Sequence, residues 1–163
     1  MTIEWIEQWP PPEGVEIRQV YGIVFDRSGR VVVQDDQGRY NLPGGTPDPG
    51  DFGMLATLAR ECFEESQITL EAAEPVGYQQ VTEDDETYIQ VRFAALLQGT
   101  CPRQADPCTG RSYERLLASP KDAPGLLGWG ERGDRQFAAA AAAAAHHWGI
   151  EPAPAGAARE YIP

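Results

Sequence analysis

The sequence predicts an α+β fold in which one mixed β-sheet carries a helix on each face. One observation and one packing rule carry this prediction. Segments rich in β-branched residues and segments of helical character follow one another in the order strands, helix, strands, helix. Placing a helix on either side of a single sheet is the most economical way to bury the apolar side of every element. The chain has 163 residues, 42% of them hydrophobic, which suffices for one domain with a real core. Residues 1–150 are read as that domain, and residues 151–163 as a Pro/Ala-rich tail that is loosely held.

Each element has its own signal. Residues 3–9 form a short apolar segment, an edge strand or one helical turn, which Pro10-Pro11-Pro12 ends. Val15 to Phe25 is rich in β-branched residues and reads as a strand. Asp26-Arg27-Ser28-Gly29 turns it toward Val31–Gln34, which predicts a hairpin. A turn at Asp35–Gly38 and a short stretch from Arg39 to Leu42 lead into Pro43-Gly44-Gly45. From about Gly53 to Ser66, Leu55, Leu58, Ala59, Cys62 and Phe63 recur at three- and four-residue steps, the period of a helix. Cys62 and Phe63 are expected to point toward packing, and Asp51 to cap the helix or sit in its first turn.

Thr69 to Val81 reads as a strand with an irregularity near Pro75-Val76-Gly77, and Thr87 to Leu97 as the clearest long strand. Between Gly99 and Leu126 turn formers dominate, with a small element at Tyr113 to Leu117. Asp134 to Trp148 is a strong helix whose Ala138–Ala145 run has the best intrinsic propensity. Its small side chains allow a close approach to a sheet. Glu131 and Asp134 are candidate caps for it.

Composition excludes several functions. The formal charge of −12 argues against binding long nucleic acid, which needs a basic footprint. Three cysteines give no disulfide framework, and zinc lacks a plausible ligand set. No apolar run is long enough to span a membrane, no leader is expected from Thr2, Glu4 and Glu7, and the expected location is the cytoplasm. An anion such as a nucleotide is still admissible at one local spot where a metal bridges phosphate to carboxylate.

That spot is residues 60–65, Arg-Glu-Cys-Phe-Glu-Glu, close behind Gly44-Gly45. On a helix Glu61 and Glu65 stand one turn apart on the same side, with Glu64 near the same surface. Three gathered carboxylates repel one another, and a divalent cation removes that cost. Carboxylate and water oxygens suit magnesium, with manganese as the alternative. Arg60 reads as a clamp reaching toward Asp51 or Glu64. Gly44 and Gly45 let backbone approach the ion or phosphate closely.

Gly45, Asp51, Arg60, Glu61, Glu64, Glu65 and Ile68 resemble the signature box of Nudix hydrolases. The resemblance implies an α/β/α sandwich and hydrolysis of a nucleoside diphosphate linked to another group. It also implies catalytic residues Arg60, Glu61, Glu64 and Glu65, the three glutamates holding magnesium. The box departs in three places. Asp51 stands where the family has Glu, which shortens its reach to Arg60. Eight residues, not seven, separate Asp51 from Arg60. Gln67 stands where the family has Gly, at a cost of roughly 1 kcal/mol if a left-handed cap is kept. The alternative function is a non-catalytic sensor that binds a nucleotide without turnover.

The general base stays open. Glu83, Asp84, Asp85 and Glu86 can supply it, although a solvated hairpin turn is the better reading of that run. Arg111 and Arg115, in the late loop, are candidates to hold a substrate phosphate. Tyr78, Tyr88 and Tyr113 are candidates for stacking on a base or sugar, and Trp129 reads as a cover for a core edge or helix start. The expected partner is a small-molecule nucleotide. A homodimer through the Trp5/Trp9 segment is one option for assembly, and a tail crossing to a neighbour is another.

Overall fold

The strand β2 (Glu16–Phe25) alternates between two apolar environments, and the architecture follows from it. Val20 and Val24 point to one side, where Leu58 and Cys62 pack; Ile23 and Phe25 point to the other, where Phe137, Ala140 and Ala144 pack. A strand buried on both faces needs apolar residues at consecutive positions, as Ile23-Val24-Phe25 supplies. The structure, a computed structural model, describes residues 1–163.

The elements run β1 (Thr2–Ile6), β2, β3 (Val31–Asp36), β4 (Arg39–Asn41), β5 (Gly44–Gly45), α1 (Gly53–Ser66), β6 (Ile68–Glu83), β7 (Glu86–Thr100), β8 (Glu114–Ala118), α2 (Ala123–Leu127), α3 (Gly130–Trp148) and β9 (Glu160–Ile162). The sheet order is β1-β6-β7-β2-β3-β8-β9, with β4 on β3 and β5 on β2. Strands β2 and β7 run parallel from Glu16↔Tyr88 to Phe25↔Leu96, and the other pairs are antiparallel, so the sheet is mixed. Helix α1 covers one face and α3 the other, which is the expected α/β/α sandwich.

The expected hairpin between β2 and β3 forms differently. The two strands are in register only at Phe25↔Val31, and β3 pairs at length with β8. They splay beyond the turn, and β5 fills the opening by pairing with Val20 and Tyr21 of β2. This splay delivers Gly44 and Gly45 to the underside of α1.

At the far edge, β6 is irregular between Pro75 and Gly77, as the sequence suggests. Gly77 has φ +148°, and a Cβ there would meet the carbonyl of Ile6 at 2.5 Å, so only glycine lets β1 cross so closely. Trp5 is buried inside this chain and is not free for a partner; Trp9 is partly exposed with its ring edge on Phe93.

Three expectations are corrected. The tail is not loose: β9 pairs with β8, Ile150 and Ala153 are buried, and Ser119 Oγ donates to the carbonyl of Ala153. The open edge of β8 takes the strand, an edge that composition alone does not reveal. Helix α3 starts at Gly130, before Asp134, and no side chain caps it, although Glu131 lies in its first turn. Phe63 and Leu55 turn outward, 42% and 50% exposed, because Leu58 and Cys62 already fill the contact with the sheet. No helix is long and apolar enough to cross a membrane.

Candidate active site

Arg60 organises the site. Its Nε and Nη2 donate to Asp51 Oδ1 and Oδ2, both at 2.9 Å. Nη2 also donates to the carbonyl of Thr46, and Nη1 bridges Glu61 Oε1 at 3.0 Å and Glu64 Oε2 at 3.1 Å. The shorter acid therefore reaches Arg60 in full, in a loop that is one residue longer. Asp51 does not cap α1. Its carboxylate also accepts from Thr57 Oγ1 and from the backbone N–H of Asp48, and these partners hold it well below the usual carboxylate range, Arg60 foremost. The loop from Thr46 to Asp51 is thus tied to the helix by a planar fork.

The acids themselves differ in surroundings. Glu61 lies against Gly45, and burial pushes its carboxyl up despite Arg60. Glu65 accepts from Gln34 Nε2 at 2.6 Å and at long range, 3.4 Å, from the N–H of Gly44. It has no cationic partner. Burial first, then the charge of Glu61, pushes it up to about 7. Ser66 Oγ accepts the second N–H of Gln34, which fixes the amide that orients Glu65.

Gln67 resolves the departure at the helix end. It adopts the left-handed cap, with φ 48° and ψ 43°. Its Nε2 donates to the carbonyls of Phe63 and Glu64, and its Oε1 accepts from the N–H of Gln104. A glycine would satisfy the backbone alone; the glutamine also anchors the loop after β7.

That loop brings a residue missed by the sequence reading. Asp106 is buried and accepts from the N–H of Cys108 and from Thr109 Oγ1. Its carboxylate, that of Glu64 and the Cys108 sulfur have ligand atoms within 4.8 Å of one another, a cluster that can coordinate a divalent cation. Its charge also reaches Glu61 and Glu65. The available signal was an aspartate two residues before Cys108 and three before Thr109, a spacing at which the side chain can bond its own loop. The other proposed acids stay away: Asp84 and Asp85 form the exposed β6–β7 turn, and Glu86 pairs with Arg18.

The two late arginines separate. Arg115 is fully buried, and its guanidinium donates to the carbonyls of Ser66, Gln67 and Cys101 and to the main-chain oxygen of Pro163. Those bonds tie the end of α1, the late loop and the tail together, so the guanidinium is not available to a substrate phosphate. Arg111 is exposed and paired with Asp36. A recess of about 260 Å³ opens beside Glu65, lined in part by Gln34, Asp36, Arg39, Asn41 and Tyr113. Tyr113 thus lines it, whereas Tyr88 lies under the guanidinium of Arg18 and Tyr78 is in the core.

Carboxylates over a glycine backbone, an arginine clamp and a strand-framed recess define a class. Residues 16–140 match the NUDIX domain family model, and the chain belongs to the Nudix family. Its fold is similar to that of the E. coli ORF135 protein, with TM-score 0.57 and 20% identity over 85% of this chain and 99% of that one. The MutT protein from Bacillus halodurans is similar with TM-score 0.56 and 18% identity over 90% and 97% of the two chains. The Bacillus subtilis pyrophosphohydrolase BsRppH gives 0.55 and 17%, and this chain covers 64% of its length, as it does of this chain. No curated protein matches this chain in sequence.

Proposed function

We propose that this chain hydrolyses a diphosphate linkage in a nucleoside diphosphate derivative, a nucleotide or nucleotide sugar, by attack of water on phosphorus. One observation carries the reading: two carboxylates, Glu61 and Glu65, are packed beside the Gly44-Gly45 backbone, and Glu65 has no cation to neutralise it. Such a site has lost solvent around its charges and calls for a divalent ion.

Glu61, Glu64 and Glu65 would hold magnesium, or manganese, because hard carboxylate oxygens suit both. The thiol of Cys108 does not suit either ion. Bound there, the ion would lower the pKa of a water and neutralise phosphate oxygens. The chain's own residues supply the positioning. Gln34 orients Glu65, Arg60 fixes Glu61 and Glu64, and Gly45 lets the Glu61 carboxylate lie against the backbone. We assign Asp106 as the acid that takes the proton of the attacking water. It has no arginine partner, whereas Glu64 is partly neutralised by Arg60.

The sensor alternative arises from the altered loop and Gln67; the fork between Arg60 and Asp51 and the left-handed cap at Gln67 support the hydrolase reading over it. The test is product release over a panel of nucleoside triphosphates, dinucleotides and nucleotide sugars, with and without magnesium. Magnesium-dependent cleavage of a diphosphate bond is expected. Binding of a nucleotide by calorimetry, with no product at high enzyme concentration, would leave the sensor.

A further inference from the structure

A second recess, of about 210 Å³, opens on the α3 side of the sheet. Asn41 lines both this recess and the one beside Glu65. Tyr21 lines it too, and the ring of Tyr21 lies where a Cβ on Gly44 would meet it at 2.8 Å. The two recesses are therefore neighbours across the β4–β5 segment.

The charge of this recess is opposite to that of the protein. Arg92 and Arg132 line it and no carboxylate does, in a chain of net charge −12. Arg92 is 1% exposed and has no acid partner. Its Nε donates to Gln136 Oε1 at 2.9 Å, and Nη1 makes only long contacts, 3.4 Å and 3.3 Å, to the carbonyls of Gln90 and Val91. Its guanidinium carbon lies 4.9 Å from the Tyr21 ring centre and 5.2 Å from that of Trp129. Arg132 Nε is buried with no partner. Buried cations are normally paired, and an unpaired one is costly.

The surrounding amides add donors rather than acceptors. A guanidinium N–H can only donate, so Gln136 must turn its oxygen to Arg92. Its Nε2 then donates to Gln79 Oε1 at 2.9 Å, Gln79 Nε2 to Gln90 Oε1 at 3.0 Å, and Gln90 Nε2 to Gln19 Oε1 at 2.6 Å. Each orientation is fixed by the one before it. The chain ends on Gln19, which lines the recess and whose Nε2 donates to no protein acceptor.

We propose that this recess binds an anionic, phosphate-like group of the substrate, separate from the diphosphate that is cleaved. The preferred substrate is then a nucleoside diphosphate derivative that carries a further phosphate outside the cleaved linkage. That second statement rests on the hydrolase reading; binding of the anion itself does not.

The probe for binding is inorganic pyrophosphate in EDTA, where the glutamate site has no metal to attract an anion. Calorimetry and the side-chain Nε–H resonances of the arginines report it. The wild-type protein is expected to bind, with the Arg92 and Arg132 signals shifting. Arg132→Gln should weaken binding about tenfold or more, and Arg92→Met should abolish it. Because Arg92 is buried, the Arg132→Gln result stands alone if Arg92→Met fails to fold. Absence of binding in the wild type, or unchanged binding in Arg132→Gln, overturns the site.

The probes for substrate class are ADP-ribose and ADP-ribose 2′-phosphate with magnesium. A higher kcat/KM for the phosphorylated compound, lost in Arg132→Gln, is expected. Equal kcat/KM for the two compounds, or a preference that survives in Arg132→Gln, overturns the statement about the substrate. Turnover without anion binding in EDTA removes the recess and leaves the hydrolase reading intact. Anion binding with no turnover of any diphosphate supports the recess and removes the hydrolase reading.

Discussion

The carboxylate of Glu61 lies directly against Gly45: a Cβ at that glycine would stand 2.5 Å from the Glu61 carboxyl carbon. Gly45 needs no left-handed backbone, so the carboxylate alone opposes an alanine there. The obstacle is the end of a flexible side chain, which can move aside. Gly45→Ala should therefore fold normally and displace Glu61. Magnesium affinity is expected to fall roughly 10–100-fold with little change in melting temperature. Calorimetric titration with magnesium beside a thermal melt checks both halves.

Glu65 links stability to pH. In the absence of metal, burial penalises its charge and pushes its carboxyl up to about 7. A folded state that holds its proton more tightly than the unfolded chain loses stability as pH rises from the ordinary carboxylate range to about 7. Above that pH both states are ionised and the penalty is complete, on the order of 3 kcal/mol. Urea midpoints of the metal-free protein should fall over this window. Glu65→Gln should flatten the dependence and abolish turnover, and saturating magnesium should restore wild-type stability at alkaline pH.

Much of this was legible in the sequence because it is local. The apolar period of residues 55–63 fixed α1 to its observed bounds, and Arg60 with its glutamates announced the site. What was hidden depends on contacts distant along the chain. The splay of β3 from β2, the tail strand on β8 and the burial of Arg115 all arise from pairings that no short window contains. Asp106 was missed because the long loop carries no period. Arg115 looked like a loop cation because its acceptors are backbone carbonyls, which leave no trace in side-chain chemistry.

Gln67 holds a left-handed cap that glycine would adopt without strain, yet its amide also ties the loop at Gln104. Gln67→Ala keeps the strain and loses the bonds, and should destabilise the fold by about 1–3 kcal/mol. Gln67→Gly removes the strain with the bonds and should fall within about 1 kcal/mol of wild type. Both should loosen the loop that carries Asp106. Denaturant unfolding ranks the variants, and hydrogen exchange over residues 101–110 reads the loop.

Arg115 has a structural role with a distinct signature. Its carbonyl partners come from α1, the late loop and the tail. Arg115→Ala would leave buried acceptors unpaired, and a loss of about 3 kcal/mol is expected. Arg115→Lys cannot reproduce the fork and should recover only part of that loss. Arg111→Ala breaks only an exposed pair with Asp36 and should cost less than about 1 kcal/mol. Equal destabilisation by Arg115→Ala and Arg111→Ala would contradict this division.

Asp106 is the residue on which the proton assignment turns. Its carboxylate is held by the N–H of Cys108 and Thr109 Oγ1, and the loop would keep this shape with an amide oxygen in place of one carboxylate oxygen. Asp106→Asn therefore removes the base while preserving the fold. It should lower kcat by roughly a hundredfold or more with magnesium affinity largely kept. Gln34→Ala should instead weaken metal binding, since it acts by orienting Glu65. An unchanged kcat in Asp106→Asn would move the proton to Glu64, whose oxygen lies 3.1 Å from Arg60.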